Sequence, residues 1–316
     1  METTGMQITT MSRRRALGLM AAGAGAALLA ACGGGKAATE TVKPAAAGAT
    51  PAALGTRSAA DGMQTLVIEA VDFGYKTMGS ITAGPTRVQL KNLGAEPHHA
   101  QFMLLNPGVT LDQFGAAFKQ GPGAAFPLVT FLGGPGAVAP TGQTEVLLDL
   151  PAGQYVLACF VEGQDHIAHA AKGMTLPLMV NPSTVAPAPL PTPAATIALV
   201  DFTFEIPPTL PAGRSLVRVM NKGPQPHEFN LVQLAPGKTL DDVKAFFDPM
   251  PGAAPAGPPP GLPIGGMNAL APGKEGTAVL DLRPGNYAAI CNVPDQSAPN
   301  GPSHLHLGMI KGFTVL

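Results

Sequence analysis

The stretch YAAICNVPDQSAPNGPSHLHLGM, residues 287–309, gathers a thiol, two imidazoles and a thioether in a chain of 316 residues with only 3 Cys and 7 His. Alone it reads either as a soft-metal site or as a polar loop that carries sulfur and histidine. An upstream copy gives it weight. LDLPAGQYVLAC (148–159) matches LDLRPGNYAAIC (280–291), and HAAKGM (169–174) matches HLHLGM (304–309). Further back, VDFGYKTMGSITAG (71–84) aligns with VDFTFEIPPTLPAG (200–213), NLGAEPHH (92–99) with NKGPQPHE (221–228), and PGVTLDQF (107–114) with PGKTLDDV (236–243), all at an offset of 129 residues. The offset steps to 132 at Gly133-Gly134 and Gly265-Gly266 and to 135 at the last match, as two three-residue insertions would produce. Self-similarity of this kind marks a duplicated structural unit.

Within each copy the pattern is mostly β. TLVIEAVDF, TRVQLKN and TEVLLDL in the first copy, and TIALVDFTF, SLVRVMN and KGFTVL in the second, are short apolar or alternating runs bounded by Gly, Pro and Asn. One short helix is expected in each. Thr110 and Thr239 can cap it, with Gln113 and Asp242 three residues on. The expected class is all-β, with two tandem β-sandwiches of roughly 100–120 residues. The expected domains are 64–181 and 195–316, joined by an extended Pro/Ala-rich linker at 182–194.

The N-terminus reads as a targeting segment, kept apart from the fold. Arg13-Arg14-Arg15 precede an apolar run from Ala16 to Ala31, which is short for a membrane-spanning helix. The cluster resembles a twin-arginine export signal, although Ala16 stands where that motif has Phe, so the general secretory route stays open. Leu29-Ala30-Ala31-Cys32 resembles a bacterial lipobox, which implies that 1–31 is removed and Cys32 is acylated. Residues 32–63, rich in Ala, Gly and Thr, then read as a flexible tether. The expected location is the outer face of the cytoplasmic membrane, held by lipid, as a periplasmic or cell-surface lipoprotein. A net charge of −1 with 12% charged residues presents no basic stripe for nucleic acid.

Both copies hold His, Cys and His-x4-Met in the same order: His98, Cys159, His169 and Met174, then His227, Cys291, His304 and Met309. A thiolate, two neutral imidazoles and a weak thioether suit copper in both its oxidation states, whereas zinc has little use for Met. Other readings stand beside this one. Each Cys can be a small buried hydrophobe, the two can form a disulfide, and either Met can be core. His306 competes with His304, but only His304 keeps the four-residue spacing to Met309. His99 follows His98 in a strand and points to the opposite face, and His166 reads as loop surface.

NKGPQPHEF, YAAIC…HLHLGMIKGFTV and YVLACF…HAAKGMTLPLMV resemble the cupredoxins, the plastocyanin-like type 1 blue-copper family. The resemblance covers both copies. It implies a Greek-key sandwich in each and one or two copper ions held by the eight residues above. There is one departure. Nine residues separate Cys159 from His169 and twelve separate Cys291 from His304, against a few in most members, and a long loop pre-orients its His less well.

The reading that follows is an exported, membrane-tethered one-electron carrier with an unidentified redox partner protein. Copper storage or delivery, or a structural module with vestigial sites, are the alternatives. An oxidase or nitrite reductase is set aside, because such enzymes wire the Cys to a second copper through a neighbouring His. Here the neighbours are Ala158 and Phe160, and Ile290 and Asn292.

Overall fold

The computed structural model describes residues 62–163, 165–207, 209–248, 257–298 and 301–316. The export signal and Cys32 lie outside the described residues, as does the tether up to residue 61.

The first copy runs β1 (Gln64–Val71), β2 (Gly74–Met78), β3 (Ile81–Thr82), β4 (Gly84–Asn92), β5 (Gln101–Leu105), β6 (Val129–Phe131), β7 (Gln143–Leu150), β8 (Gly153–Ala158) and β9 (Thr175–Asn181). The second runs β10 (Ala195–Val200), β11 (Thr203–Glu205), β12 (Gly213–Asn221), β13 (His227–Leu234), β14 (Gly261–Leu270), β15 (Glu275–Leu282), β16 (Gly285–Ile290) and β17 (Ile310–Val315). Helices α1 (Leu111–Phe118) and α2 (Pro122–Ala125) lie in the first copy and α3 (Leu240–Phe247) in the second. Thr110 and Thr239 close full capping boxes with Gln113 and Asp242, as their spacing predicts.

Each copy is a two-layer sandwich, so the all-β expectation holds. In the first, β3-β9-β8-β5-β6 face the β7-β4-β1-β2 half of a larger sheet. In the second, β14-β13-β16-β17 face the β11-β10-β12-β15 half of that same sheet. The alternation that marks the strands in sequence is the alternation of burial: β1 reads buried, half-buried along its length. The buried faces meet in one core, with Leu66, Ile68, Phe102 and Tyr155 from one copy and Ile197, Val219, Phe229 and Tyr287 from the other. Each such side chain contributes about 1.5–3 kcal/mol by leaving water. Tyr155 and Tyr287 donate their hydroxyls to the carbonyls of Pro151 and Arg283, four residues back, which fixes the turn into β8 and β16.

The large sheet has eight strands because β7 pairs antiparallel with β15. At the centre of that pairing Val146 sits opposite Ala278, its own equivalent in the repeat. Pro135 likewise bridges its equivalent Met267, flanked by Leu132 with Leu270 and Val138 with Ile264. The two copies therefore meet about a pseudo-two-fold axis, the self-complementary geometry of an isologous dimer. Backbone approach along this seam is close. A Cβ on Gly134 or Gly266 would fall 2.0 Å from the carbonyl oxygen of Ala100 or Phe229, and both glycines have positive φ, 137° and 118°. Ala188 of the Pro/Ala-rich segment packs against Met63, Leu147 and Val279, on the side of the eight-stranded sheet away from the core.

Candidate metal centres

The polar motifs of the repeat build the same scaffold twice. Asn92, at the end of β4, donates its amide to the carbonyls of Glu96 and Val138 and accepts from the Gly94 N–H. Asn221 does the same with Gln225, Leu270 and Gly223. This shapes the turn that delivers His98 and His227. The Asp of each VDF turn then reaches that His: Asp72 Oδ1 lies 2.8 Å from His98 Nε2, and Asp201 Oδ1 lies 2.5 Å from His227 Nε2. Gly94 and Gly223 leave room for the pair. A Cβ there would fall 2.3 Å from Asp72 Oδ1, or 2.6 Å from His227 Nε2. These carboxylates and glycines stand in the quoted repeats. Their signal was the shared Asp and Gly, which sequence reasoning left unassigned.

Cys159 and Cys291 follow β8 and β16. Their N–H groups donate to the carbonyls of Met174 and Met309, whose own N–H groups donate to His169 and His304. The long loops do not loosen this arrangement. In the first, His169 N–H donates to the Val161 carbonyl and Glu162 bridges Ala168, so the loop is closed at its base. In the second, His304 N–H donates to Val293 and Pro294 bridges Ser303. The chain between Cys and His is thus tied back within two or three residues of each end. The entropy expected from loop length does not fall on the histidines.

In each copy three donors converge. His98 Nδ1 and His169 Nδ1 are 3.0 Å apart, with Cys159 Sγ 4.0 and 3.6 Å from them. His227 Nδ1 and His304 Nδ1 are 2.9 Å apart, with Cys291 Sγ 3.4 Å from the latter. Each triplet lies within 4.8 Å, and all six residues are fully buried. Met174 and Met309 are also fully buried beside them in the chain. Both cysteines are free, which removes the disulfide reading. His306 is exposed and pairs with Asp248 at 2.8 Å, and His166 is exposed near Glu162. His99 turns away from the triplet: its Nδ1 lies 2.9 Å from Asn268 Oδ1, and its Nε2 accepts from the Phe160 N–H at 2.6 Å.

Burial dominates the electrostatics. It holds the His98 and His227 imidazoles below their ordinary value, against the raising pull of Asp72 and Asp201. It takes His304 down to about 4, helped by His227. These rings are neutral at pH 7, the form that offers a lone pair. Burial also pushes the Cys159 thiol up to about 12 and Cys291 well above its ordinary value. A cation among the donors would replace that thiol proton, so the donor set fits a metal that favours thiolate and imidazole together.

The two sites differ in three places. Glu96 Oε2 lies 2.6 Å from His169 Nε2, whereas Gln225 stands in its place in the second copy and His304 Nε2 is buried without a hydrogen-bond partner. Tyr75, whose hydroxyl donates to the His99 carbonyl near Cys159, is matched by Phe204. His99 is matched by Glu228, which is buried, accepts from the Asn292 N–H at 2.7 Å and is raised by burial to about 6.

No family model matches the chain, and no curated protein does. Solved structures do. A crystal structure titled multicopper oxidase is 17% identical, over 83% of this chain and 93% of that one, with a TM-score of 0.26. Auracyanin A, titled a blue copper protein from Chloroflexus aurantiacus, is 22% identical over 37% of this chain and 99% of its own, also at 0.26. A Cu-containing nitrite reductase from Thermus scotoductus SA-01 is 14% identical over 80% of this chain and 61% of its own, at 0.22. Sequence reasoning set enzymes aside. That exclusion is corrected here, because two of these similar structures are enzymes, an oxidase and a reductase. Among the described residues no helix is long and apolar enough to cross a membrane.

Proposed function

We propose that this chain is an exported copper protein that passes single electrons through two type 1 centres, one in each of the domains 64–181 and 195–316. The observation that carries the reading is the convergence, twice over, of one Cys Sγ and two His Nδ1 atoms within 4.8 Å in a fully buried setting. His98, Cys159, His169 and Met174 would hold one copper ion, and His227, Cys291, His304 and Met309 the other. Bound copper would supply the one-electron Cu(II)/Cu(I) couple. The chain supplies the rest. Asp72 and Asp201 fix the tautomer of the first imidazole, so that its Nδ1 lone pair faces inward. Burial excludes water, and the pinched loops hold the second imidazole in place, so the donors need little rearrangement between oxidation states. Buried, pre-arranged donors favour electron transfer over storage or delivery, where the ion must leave readily. Cys32 would carry the lipid that keeps the protein at the membrane, beside an unidentified redox partner protein.

The test is a Cu(II) titration of the mature chain lacking Cys32, followed by visible spectroscopy and EPR, with Cys159→Ser and Cys291→Ser alongside. The reading expects an intense thiolate-to-copper band that falls by about half in each variant, as two independent centres require. Copper bound with no such band would overturn it.

A further inference from the structure

We infer that the two centres exchange an electron with each other across the seam between the copies, along a bonded route through His99 and Asn268. The inference rests on the copper reading above.

The route starts at the peptide that follows the first cysteine. Phe160 N–H, bonded through one carbonyl carbon to the Cys159 Cα, donates to His99 Nε2 at 2.6 Å. That acceptor role places the ring proton on Nδ1, which donates to Asn268 Oδ1 at 2.9 Å. Asn268 belongs to β14 of the second copy and is fully buried. Its N–H donates to the Gly134 carbonyl and its amide to Pro135, so it is clamped on the seam. Two residues further along β14, Leu270 lies opposite His227, a donor of the second triplet.

A counterpart runs the other way. Asn292 N–H, next to Cys291, donates to Glu228 Oε1 at 2.7 Å. Two residues along β13 from Glu228, Asn230 Oδ1 accepts from Ala137 N–H of the first copy at 3.3 Å. The next residue, Val138, bridges His98. Both routes leave from the peptide after a cysteine and reach the residue paired with the other copy's first histidine, but the second crosses on the longer contact, 3.3 Å against 2.9 Å, after a detour along the β13 backbone, so the route through His99 and Asn268 carries most of the coupling. A seam that only had to cohere would be cheaper to fill with apolar side chains, since buried polar groups need every partner satisfied. Electronic coupling falls off more slowly through covalent and hydrogen bonds than across van der Waals gaps, and these are the bonds that cross the seam. With copper bound at both triplets, the step would oxidise Cu(I) at one centre and reduce Cu(II) at the other by the same single electron. No proton moves and no covalent bond breaks.

The test uses the copper-loaded chain carrying Met309→Gln, since an axial substitution sets the second centre's potential apart from the first. The parent must first show thiolate-to-copper absorption from both centres, each lost with its own cysteine. If it does not, the copper reading falls and this inference with it, before any kinetics are recorded. A flash that reduces a fraction of the centres then starts redistribution between them, seen as a first-order phase independent of protein concentration. His99→Leu and Asn268→Leu, which cut the same contact from opposite sides, should each slow that phase by about tenfold or more, and His99→Gln, which can accept and donate at the same two places, should restore it to within about threefold. Bands and copper content should stay as in the parent. A phase of unchanged rate in Asn268→Leu, or one that scales with protein concentration, would overturn the inference.

Discussion

Asp72 and Asp201 do for His98 and His227, the first ligands of the proposed centres, what no ligand can do for itself: they select the tautomer. Partners of this kind are typically worth about 10–100-fold in metal affinity. Asp72→Ala should therefore weaken copper binding to the first triplet by that order, read by competition with a chromophoric chelator, and leave the second triplet untouched. Glu96 is a finer control. Its carboxylate, 2.6 Å from His169 Nε2, would stabilise positive charge on copper held in the first triplet, so Glu96→Gln should raise that centre's midpoint potential. The change should be on the order of tens of millivolts, since ~59 mV corresponds to ~1.4 kcal/mol for one electron and Glu96 is partly exposed to screening water. Spectroelectrochemistry reads it, and a fall in potential would contradict the role. His99 makes the pH prediction. Burial takes it down to about 4, below its unfolded value near 6.5. A depressed value means that the unfolded chain takes up the proton first. The stability His99 confers is thus present above about pH 6.5 and lost as the pH falls toward 4. His98, His227 and His304 act in the same sense. Glu228, raised to about 6, acts in the opposite one. In the metal-free protein, the drop in urea midpoint from pH 7 to pH 4.5 should be smaller for His99→Gln than for the parent.

The strands and both capping boxes were legible because each is a local pattern: alternation for β1, Thr-x-x-Gln and Thr-x-x-Asp for the helices. Thr239→Ala should cost about 0.5–2 kcal/mol, measured by thermal unfolding, because two donors at the start of α3 lose their acceptor or its geometry. The grouping of the two His and one Cys in each copy was legible for the same reason, as it is carried in two aligned copies. What spacing could not show was the shape of the Cys-to-His loops. Loop length alone argues for a poorly held His169 and His304. The bridges at Glu162–Ala168 and Pro294–Ser303 that remove this cost depend on backbone geometry, which no residue type there announces. Removing residues 297–301 while keeping Pro294 and Ser303 should accordingly leave the copper spectrum of the second centre in place.

In the whole molecule, the duplication reads from sequence as two beads on a linker, because a repeat shows what is copied and not how the copies meet. The structure joins them through β7 and β15 into one eight-stranded sheet over one core. The residues at the join, Val146, Ala278, Pro135 and Met267, are ordinary apolar strand residues in the sequence and carry no mark of it. A shared sheet and core make separate melting of the halves unfavourable. Calorimetry should show one cooperative transition for the chain, and the isolated second copy should self-associate through its uncovered β15 edge.

The most direct measurement of the central claim is a crystal of the copper-loaded chain, with an anomalous difference map recorded at the copper edge. The account predicts two peaks, one bonded by Cys159 Sγ and the Nδ1 atoms of His98 and His169, the other by Cys291 Sγ and the Nδ1 atoms of His227 and His304. Copper held elsewhere, for instance at the exposed pair of His306 and Asp248, with both buried triplets empty, would contradict it.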